Sequence, residues 1–388
     1  MDYEKLGFGT RLQHFGEEDK TMGAVTPPIY QNSLFVFEQF EDLHNVLSGL
    51  KPETTPVYSR VSNPTLDIVE RKIAHLEGAE ACKVAGSGMA AAAWGIFAAA
   101  NQGGHIVGIK SLYGPTKELL EYLHTKFGIT HTLVDGRETS NILDAVRPET
   151  SLICLESPSS VLMHLQDIEA VTRYAREARI TTLIDNTHAS PLYQQPHALG
   201  VDLVMHTATK YLSGHSDLVA GALTGSKAQM ASITRYEVAL LGSILNPLGA
   251  WLLHRGLRTL EIRIKRHEET ANLVADWLYS HPSVERINHV SHHSFPQREL
   301  YLKQMTGSAG LFSWLPKTQD KKKIFAFVDA LNVFQRGVSW GGFESLCIAS
   351  HITHDGREPY WLIRCYCGLE TPQDLIADLQ QAFEVSGL

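Results

Sequence analysis

An α/β fold is predicted, with a mostly parallel sheet in a large domain followed by a smaller α/β domain, and three observations carry that prediction. From about residue 61 to 250, short β-branched or apolar runs alternate with amphipathic helical stretches, the pattern of βαβ units. The glycine turn Gly86-Ser87-Gly88-Met89 opens directly into an alanine-dominated helix. A chain of 388 residues exceeds what one hydrophobic core ordinarily organises, so two domains are expected.

Taken in order, residues 1–60 are rich in Pro, Gly and polar side chains without a sustained period, which predicts an arm that reaches a neighbouring subunit. Residues 61–250 are predicted to form the large domain. Its predicted strands are Ala81 to Ala85, His105 to Ile109, Thr130 to Val134, Ser151 to Leu155, Thr181 to Ile184 and Leu203 to Thr207, with a helix at Ala90 to Ala100. Residues 251–388 form the C-terminal α/β domain. A long amphipathic stretch, Leu257 to His281, precedes strands at Ala309 to Leu315, Phe334 to Ser339 and Trp361 to Tyr366, and Pro372 to Phe383 closes the chain as a helix. Lys321-Lys322-Lys323 reads as a solvated helix start.

A formal net charge of -8 with both signs dispersed argues against nucleic acid or an anionic membrane as partner. Five cysteines without paired spacing, no apolar leader and no run of eighteen apolar residues point to a reducing compartment and the cytoplasm. Cys365 and Cys367 fall on a predicted strand with their thiols on one face, where small apolar roles outweigh metal or redox chemistry. The groupings His292-His293 and His351 to His354 lack a third ligand and read as surface histidines, so no metal site is expected.

Chemistry concentrates in His206 to Asp217, where Lys210 sits in a turn of hydroxyls and glycine. A lysine that bonds a carbonyl needs a lowered pKa, and a pyridoxal phosphate site also needs an acid for the ring nitrogen, which Asp185 at a strand end supplies. In open parallel sheets, ligands sit beyond the carboxyl ends of strands, so Asp185 and the Thr207-Thr209-Lys210 turn can share one crevice. The backbone amides after Gly88, with Thr207, Thr209 and Arg60, form a candidate phosphate cup. Nucleotide binding finds neither G-x-G-x-x-G nor a Walker lysine pattern. Tyr113 can stack on a ring, or simply pack. Arg364 is a lone charge in an apolar strand, suited to a substrate carboxylate or to a structural ion pair.

These residues resemble the Cys/Met-metabolism family of pyridoxal-phosphate enzymes over nearly the whole chain. The likeness rests on Tyr58-Ser59-Arg60 with Asn63-Pro64-Thr65, Ser87 to Ala91, Tyr113-Gly114, Glu156-Ser157-Pro158, Asp185-Asn186-Thr187, Thr207 to Asp217, Arg255 to Leu260 and Gly341 to Leu346. It implies the type I fold of pyridoxal-phosphate transferases, Lys210 as the cofactor-bonding lysine, Asp185 on the pyridine nitrogen and Tyr113 on the ring face. Gly88, Met89, Thr207 and Thr209 would hold the phosphate, and Tyr58 and Arg60 would reach it from a partner subunit. Arg364 and Ser339 would bind the substrate α-carboxylate. A homo-oligomer, commonly a dimer of dimers, is implied as well.

Within the family, Val338 to Ser345 with Trp340 most resembles bacterial cystathionine β-lyase, and Val338 stands where cystathionine γ-lyases tend to carry glutamate. The implied reaction is α,β-elimination of cystathionine to homocysteine, pyruvate and ammonia, with Lys210 as acid and base and Tyr113 assisting. Tyr58 to Thr65 is closer to γ-acting members, so γ-elimination or γ-replacement is the rival. A specialised biosynthetic enzyme is a second, hinted at by His188 where the family has phenylalanine or tryptophan. A hydrogen-bonded supporting role is the expectation for His188. A non-enzymatic regulator would not need Lys210, Tyr113 and Arg364 together, and no DNA-binding module fits in this length.

Overall fold

The computed structural model describes residues 2–51, 55–353 and 357–388. Seven strands make the large sheet: β1 (Ala81–Ala85), β2 (His105–Ile109), β3 (Thr130–Val134), β4 (Thr150–Glu156), β5 (Thr181–Asp185), β6 (Leu203–His206) and β7 (Gly221–Gly225). Their order is β1-β7-β6-β5-β4-β2-β3. The five strands from β6 to β3 run parallel, and β7 is antiparallel to both its neighbours. Parallel strands are covered on both faces, which is why Ile106, Val107, Leu152, Ile153 and Ile184 are all fully buried.

Strand β7 was not anticipated, because Gly-Ala-Leu-Thr-Gly carries little β propensity. Its glycines answer a packing demand instead: a Cβ on Gly221 would lie 2.1 Å from the Ser87 carbonyl oxygen. The adjoining helix begins at Gly88, two residues earlier than its alanine run suggests, because the Ser87 hydroxyl caps it by accepting from the Ala90 amide at 3.1 Å.

The second sheet contains β8 (Val284–Asn288), β9 (Leu311–Pro316), β10 (Gln335–Arg336), β11 (Leu346–Ile352) and β12 (Tyr360–Tyr366), in the order β10-β11-β12-β9-β8. Trp314, Phe327 and Phe383 form the aromatic centre of its core. The strand expected at Phe334 to Ser339 shrinks to β10, since the chain turns away there and delivers Ser339 to Lys210. Charged β8 and mixed-polarity β11 were missed for want of alternation. The stretch predicted from Leu257 to His281 is the helix Leu260–Ser280, and a separate helix, Pro247–Leu257, precedes it across Arg258-Thr259.

Residues 8–17 are stitched to the body. Leu12, on the helix Phe8–His14, is buried, and the buried Lys72 donates to the Leu12 carbonyl at 2.6 Å and to Glu17 at 2.7 Å. Arg258 and His254 also meet the Glu17 carboxylate, at 2.7 and 3.1 Å. The stretch that stands off is later in the arm, where Met22, Val25, Val36, Phe40, Leu47 and Leu50 are exposed.

Two cysteine and histidine expectations change. Cys365 faces Cys347 across β12 and β11 with sulfurs 3.8 Å apart, whereas Cys367 lies beyond the strand end, and all five thiols are free and buried. His292 is buried rather than on the surface, and Asp276 Oδ1, which the sequence did not place near the pair, lies 3.3 Å from its Nε2. The partner was hidden because it comes from the preceding helix and meets the histidines only after the chain has returned through β8. His351 is exposed, and His354 lies outside the described residues.

Candidate active site

The ends of β4, β5 and β6 open into a cavity of about 670 Å³ that β11 and β12 close from the other sheet. Ten residues expected at the site line it: Gly88, Met89, Tyr113, Asp185, Thr207, Thr209, Lys210, Ser339, Trp340 and Arg364. Tyr58 and Arg60 do not. They stay exposed in the arm, with the Arg60 guanidinium 5.2 Å from the Tyr58 ring centroid.

Lys210 follows β6 in a turn closed by its own amide on the Thr207 carbonyl, 3.0 Å, and by Gly214 N–H on the Lys210 carbonyl, 2.8 Å. Its ammonium donates to the Ser339 hydroxyl at 2.5 Å and lies 5.3 Å from the Trp340 ring centroid. Ser339 therefore meets the lysine rather than Arg364. Burial, reinforced by the Arg364 charge, lowers the Lys210 pKa to about 8. Gly341 allows this approach: its φ is +91°, and a Cβ there would lie 2.8 Å from the Lys210 backbone.

Asp185 ends β5, and its Oδ1 accepts from the Thr187 amide at 2.9 Å and from the Thr187 hydroxyl. Glu156, which sequence reading left as a motif letter, is its register partner on β4. The Glu156 carboxyl accepts from the Tyr113 amide at 2.5 Å and the Ser160 amide at 2.8 Å. Burial, then the Asp185 charge, pushes the Glu156 pKa up to about 7, and burial also raises that of Asp185. The available signal was positional: both acids close an apolar parallel strand.

At the other end of the cavity, the Ser87-capped helix leaves the Gly88 and Met89 amides without intrahelical partners, which is a ready anion cradle. A Cβ on Gly88 would strike the Thr207 side chain at 2.1 Å, so the hydroxyl of Thr207 stands directly beside the cradle. The Thr209 hydroxyl is already engaged, donating to the Ala220 carbonyl at 3.1 Å and accepting from its amide at 2.9 Å.

Arg364 is buried on β12 between Ile348 and Ser313. Its guanidinium donates to the carbonyls of Ser160, 3.3 Å, and Val338, 2.5 Å. Among the described residues no carboxylate pairs with it, so a structural ion pair does not account for the charge. His188 also departs from expectation. It is buried at the cavity wall, 6.1 Å from the Trp340 ring centroid, and neither ring nitrogen has a hydrogen-bond partner among the described residues. Burial and the Arg364 charge lower its pKa to about 3, so the ring is neutral.

A lowered lysine, a carboxyl at the cavity floor, an aromatic wall, an amide cradle and an unpaired guanidinium are what a phosphorylated aromatic aldehyde and an amino acid require together. Comparison with known proteins points the same way. The family described as Cys/Met metabolism PLP-dependent enzyme matches residues 9–384. An L-methionine gamma-lyase of Treponema denticola is 37% identical over 401 residues, spanning 99% of this chain and 98% of that protein. A cystathionine beta-lyase of Lactococcus lactis subsp. cremoris is 36% identical over 388 residues, spanning 97% and 98%. The crystal structure of a putative O-acetylhomoserine (thiol)-lyase from Campylobacter jejuni superposes with a TM-score of 0.90 at 28% identity, covering 97% of this chain and 99% of that one. That structure carries an N'-pyridoxyl-lysine-5'-monophosphate.

Proposed function

The chain belongs to the Cys/Met metabolism family of PLP-dependent enzymes, and from that premise we propose that it is a carbon–sulfur lyase that performs α,β-elimination on cystathionine. The observation that carries the reading is the meeting of the Lys210 amine, Asp185 and the unpaired Arg364 in one cavity whose wall is Trp340.

The residues present fit pyridoxal phosphate. When bound, the cofactor supplies an aldehyde that takes up an amine and a protonated ring that accepts the electron pair of the broken Cα–H bond. Asp185, oriented by the Thr187 hydroxyl and amide, would pair with the ring nitrogen and keep the proton there. The Gly88 and Met89 amides and Thr207 would receive the phosphate, and Tyr113 would cover the ring. Arg364 would bind the substrate α-carboxylate, since its guanidinium faces the cavity with only carbonyls as neighbours. That orientation would present the Cα proton to Lys210, whose lowered pKa suits it to take a proton at Nζ and return one to the departing sulfur. Trp340, only 7% exposed, excludes water beside that nitrogen. For cystathionine, the Cα–H and Cβ–S bonds break, and homocysteine leaves. One water then takes the three-carbon remainder to pyruvate and ammonia.

The exposed apolar residues of the arm, together with Tyr58 and Arg60, support a homo-oligomer in which the arm completes a neighbour's phosphate site. γ-Elimination is the second reading, favoured by the likeness to the Treponema denticola protein. The test is to incubate the cofactor-loaded enzyme with L-cystathionine and, separately, L-methionine, and to identify the keto acid by mass. Pyruvate with homocysteine supports β-elimination, whereas 2-oxobutyrate from either substrate assigns γ-chemistry.

A further inference from the structure

The helix Leu260–Ser280 presents Asn272, Asp276 and Tyr279 at spacings of four and three, which puts them on one face. After β8 the chain passes back over that face as His289-Val290-Ser291-His292-His293-Ser294. Asp276 Oδ1 lies 3.3 Å from His292 Nε2, and one ligand atom each from Asp276, His292 and His293 falls within 4.8 Å of the other two. The Tyr279 ring braces both imidazoles, with centroids 4.9 Å from His292 and 5.0 Å from His293, and the two imidazoles are 4.2 Å apart.

Protein hydrogen bonds hold this frame together. The Ser291 hydroxyl donates to Asn272 Oδ1 at 2.9 Å, and Arg298 donates to the Ser291 carbonyl at 2.6 Å, so the loop is tied to the helix and to the segment that follows. The Ser294 hydroxyl stands 2.7 Å from His292 Nδ1. The Ser294 amide also donates to that nitrogen at 3.2 Å, which fixes the ring with its proton on Nε2 toward Asp276, and a bound cation would take the place of that proton. His292 is otherwise enclosed, with 3% of its side chain exposed, while Asp276 is 66% exposed and His293 is exposed.

Two imidazoles and one carboxylate suit a borderline divalent cation such as Zn²⁺, and are a poor set for Mg²⁺ or Ca²⁺, which take oxygen ligands. Bonds of about 2.0–2.1 Å to such an ion place tetrahedral ligand atoms roughly 3.3 Å apart. The Asp276 to His292 pair already has that spacing, and only the exposed His293 must swing inward. We propose that Asp276, His292 and His293 form a site for a zinc-class divalent cation, which pins the 289–294 loop onto the helix and leaves a fourth position open to water. None of the three lines the Lys210 cavity, so the site is independent of the lyase reading.

The test uses cofactor-loaded enzyme stripped with a chelator and titrated with Zn²⁺ alone, read by calorimetry, metal analysis after dialysis and thermal unfolding. The comparison is the double variant Asp276→Ala with His293→Ala, both exposed positions whose loss leaves the core intact. The wild-type chain should hold one more Zn²⁺ than the variant, with micromolar or tighter affinity, and only the wild type should gain several degrees in Tm. Equal uptake by both proteins, wild-type binding weaker than about 100 μM, or an equal response to Mg²⁺ would each overturn the proposal.

Discussion

Glu156 and Asp185 occupy partner positions on the parallel strands β4 and β5, so the buried Glu156 carboxyl and the half-buried Asp185 carboxyl stand side by side at one cavity floor. Both cannot ionise cheaply in the free protein. With the folded Glu156 pKa near 7 against an ordinary value of 4.5, the unfolded chain gives up that proton first as pH rises. Cofactor-free protein should therefore lose stability between about pH 5 and 7, with Glu156→Gln flattening the slope. Urea midpoints across that range are the measurement, and a slope unchanged by the substitution refutes the coupling.

Lys210 should behave as a lysine of pKa about 8. Only the free amine adds to an aldehyde, so cofactor uptake by the apoprotein should rise through pH 8 rather than near 10, and Arg364→Met should move the midpoint upward. Borohydride should fix the cofactor to Lys210. Lys210→Ala should lose that adduct and about 10²–10⁴-fold in turnover, the range for a positioned acid–base group.

Removing the Arg364 charge should act on the amino acid more than on the cofactor. Charged hydrogen bonds of ~1.5–3 kcal/mol correspond to roughly 10- to 150-fold in kcat/KM for Arg364→Met. The absorbance of the bound cofactor should persist; if cofactor is lost in step with activity, Arg364 belongs to a different part of the site.

His188→Leu should hold or raise Tm. An imidazole buried with both nitrogens unpartnered costs about 1–3 kcal/mol for each unsatisfied group, and an apolar replacement of similar size relieves it. A marked drop in Tm would reveal a hydrogen-bonded role after all.

Gly341→Ala should disturb the lysine without touching any polar group. Its Cβ would meet the Lys210 backbone at a φ that side chains avoid. Turnover is expected to fall at least tenfold, with the lysine's pH midpoint shifted; an unaffected enzyme would show that the loop relaxes freely.

Much of this site was readable in advance because its residues obey local rules. Asp185 closes a β-branched run, Ser87 precedes an alanine helix, and β1, β2 and β3 begin and end where their apolar runs do. What escaped is what only packing decides. β7 is spelled in small residues because the Ser87 turn presses on it, β8 mixes charge with apolar positions at the sheet edge, and β11 mixes polar with apolar ones. Glu156 looked like any acid until its register with Asp185 was known, and Asp276 joined His292 only through the return of the chain.

The late position of β12 has a consequence for synthesis. About 150 residues separate Lys210 from Arg364. At 5–20 residues per second the ribosome needs roughly 8–30 s to cover that interval. During that time the large sheet can already be assembling, with its lysine in place and no Arg364 guanidinium beside it. Only when the penultimate stretch of chain slides between β11 and β9 does the guanidinium reach the Ser160 and Val338 carbonyls. On the proposed roles of Lys210 and Arg364, a nascent chain would load its cofactor before it could grip an amino acid.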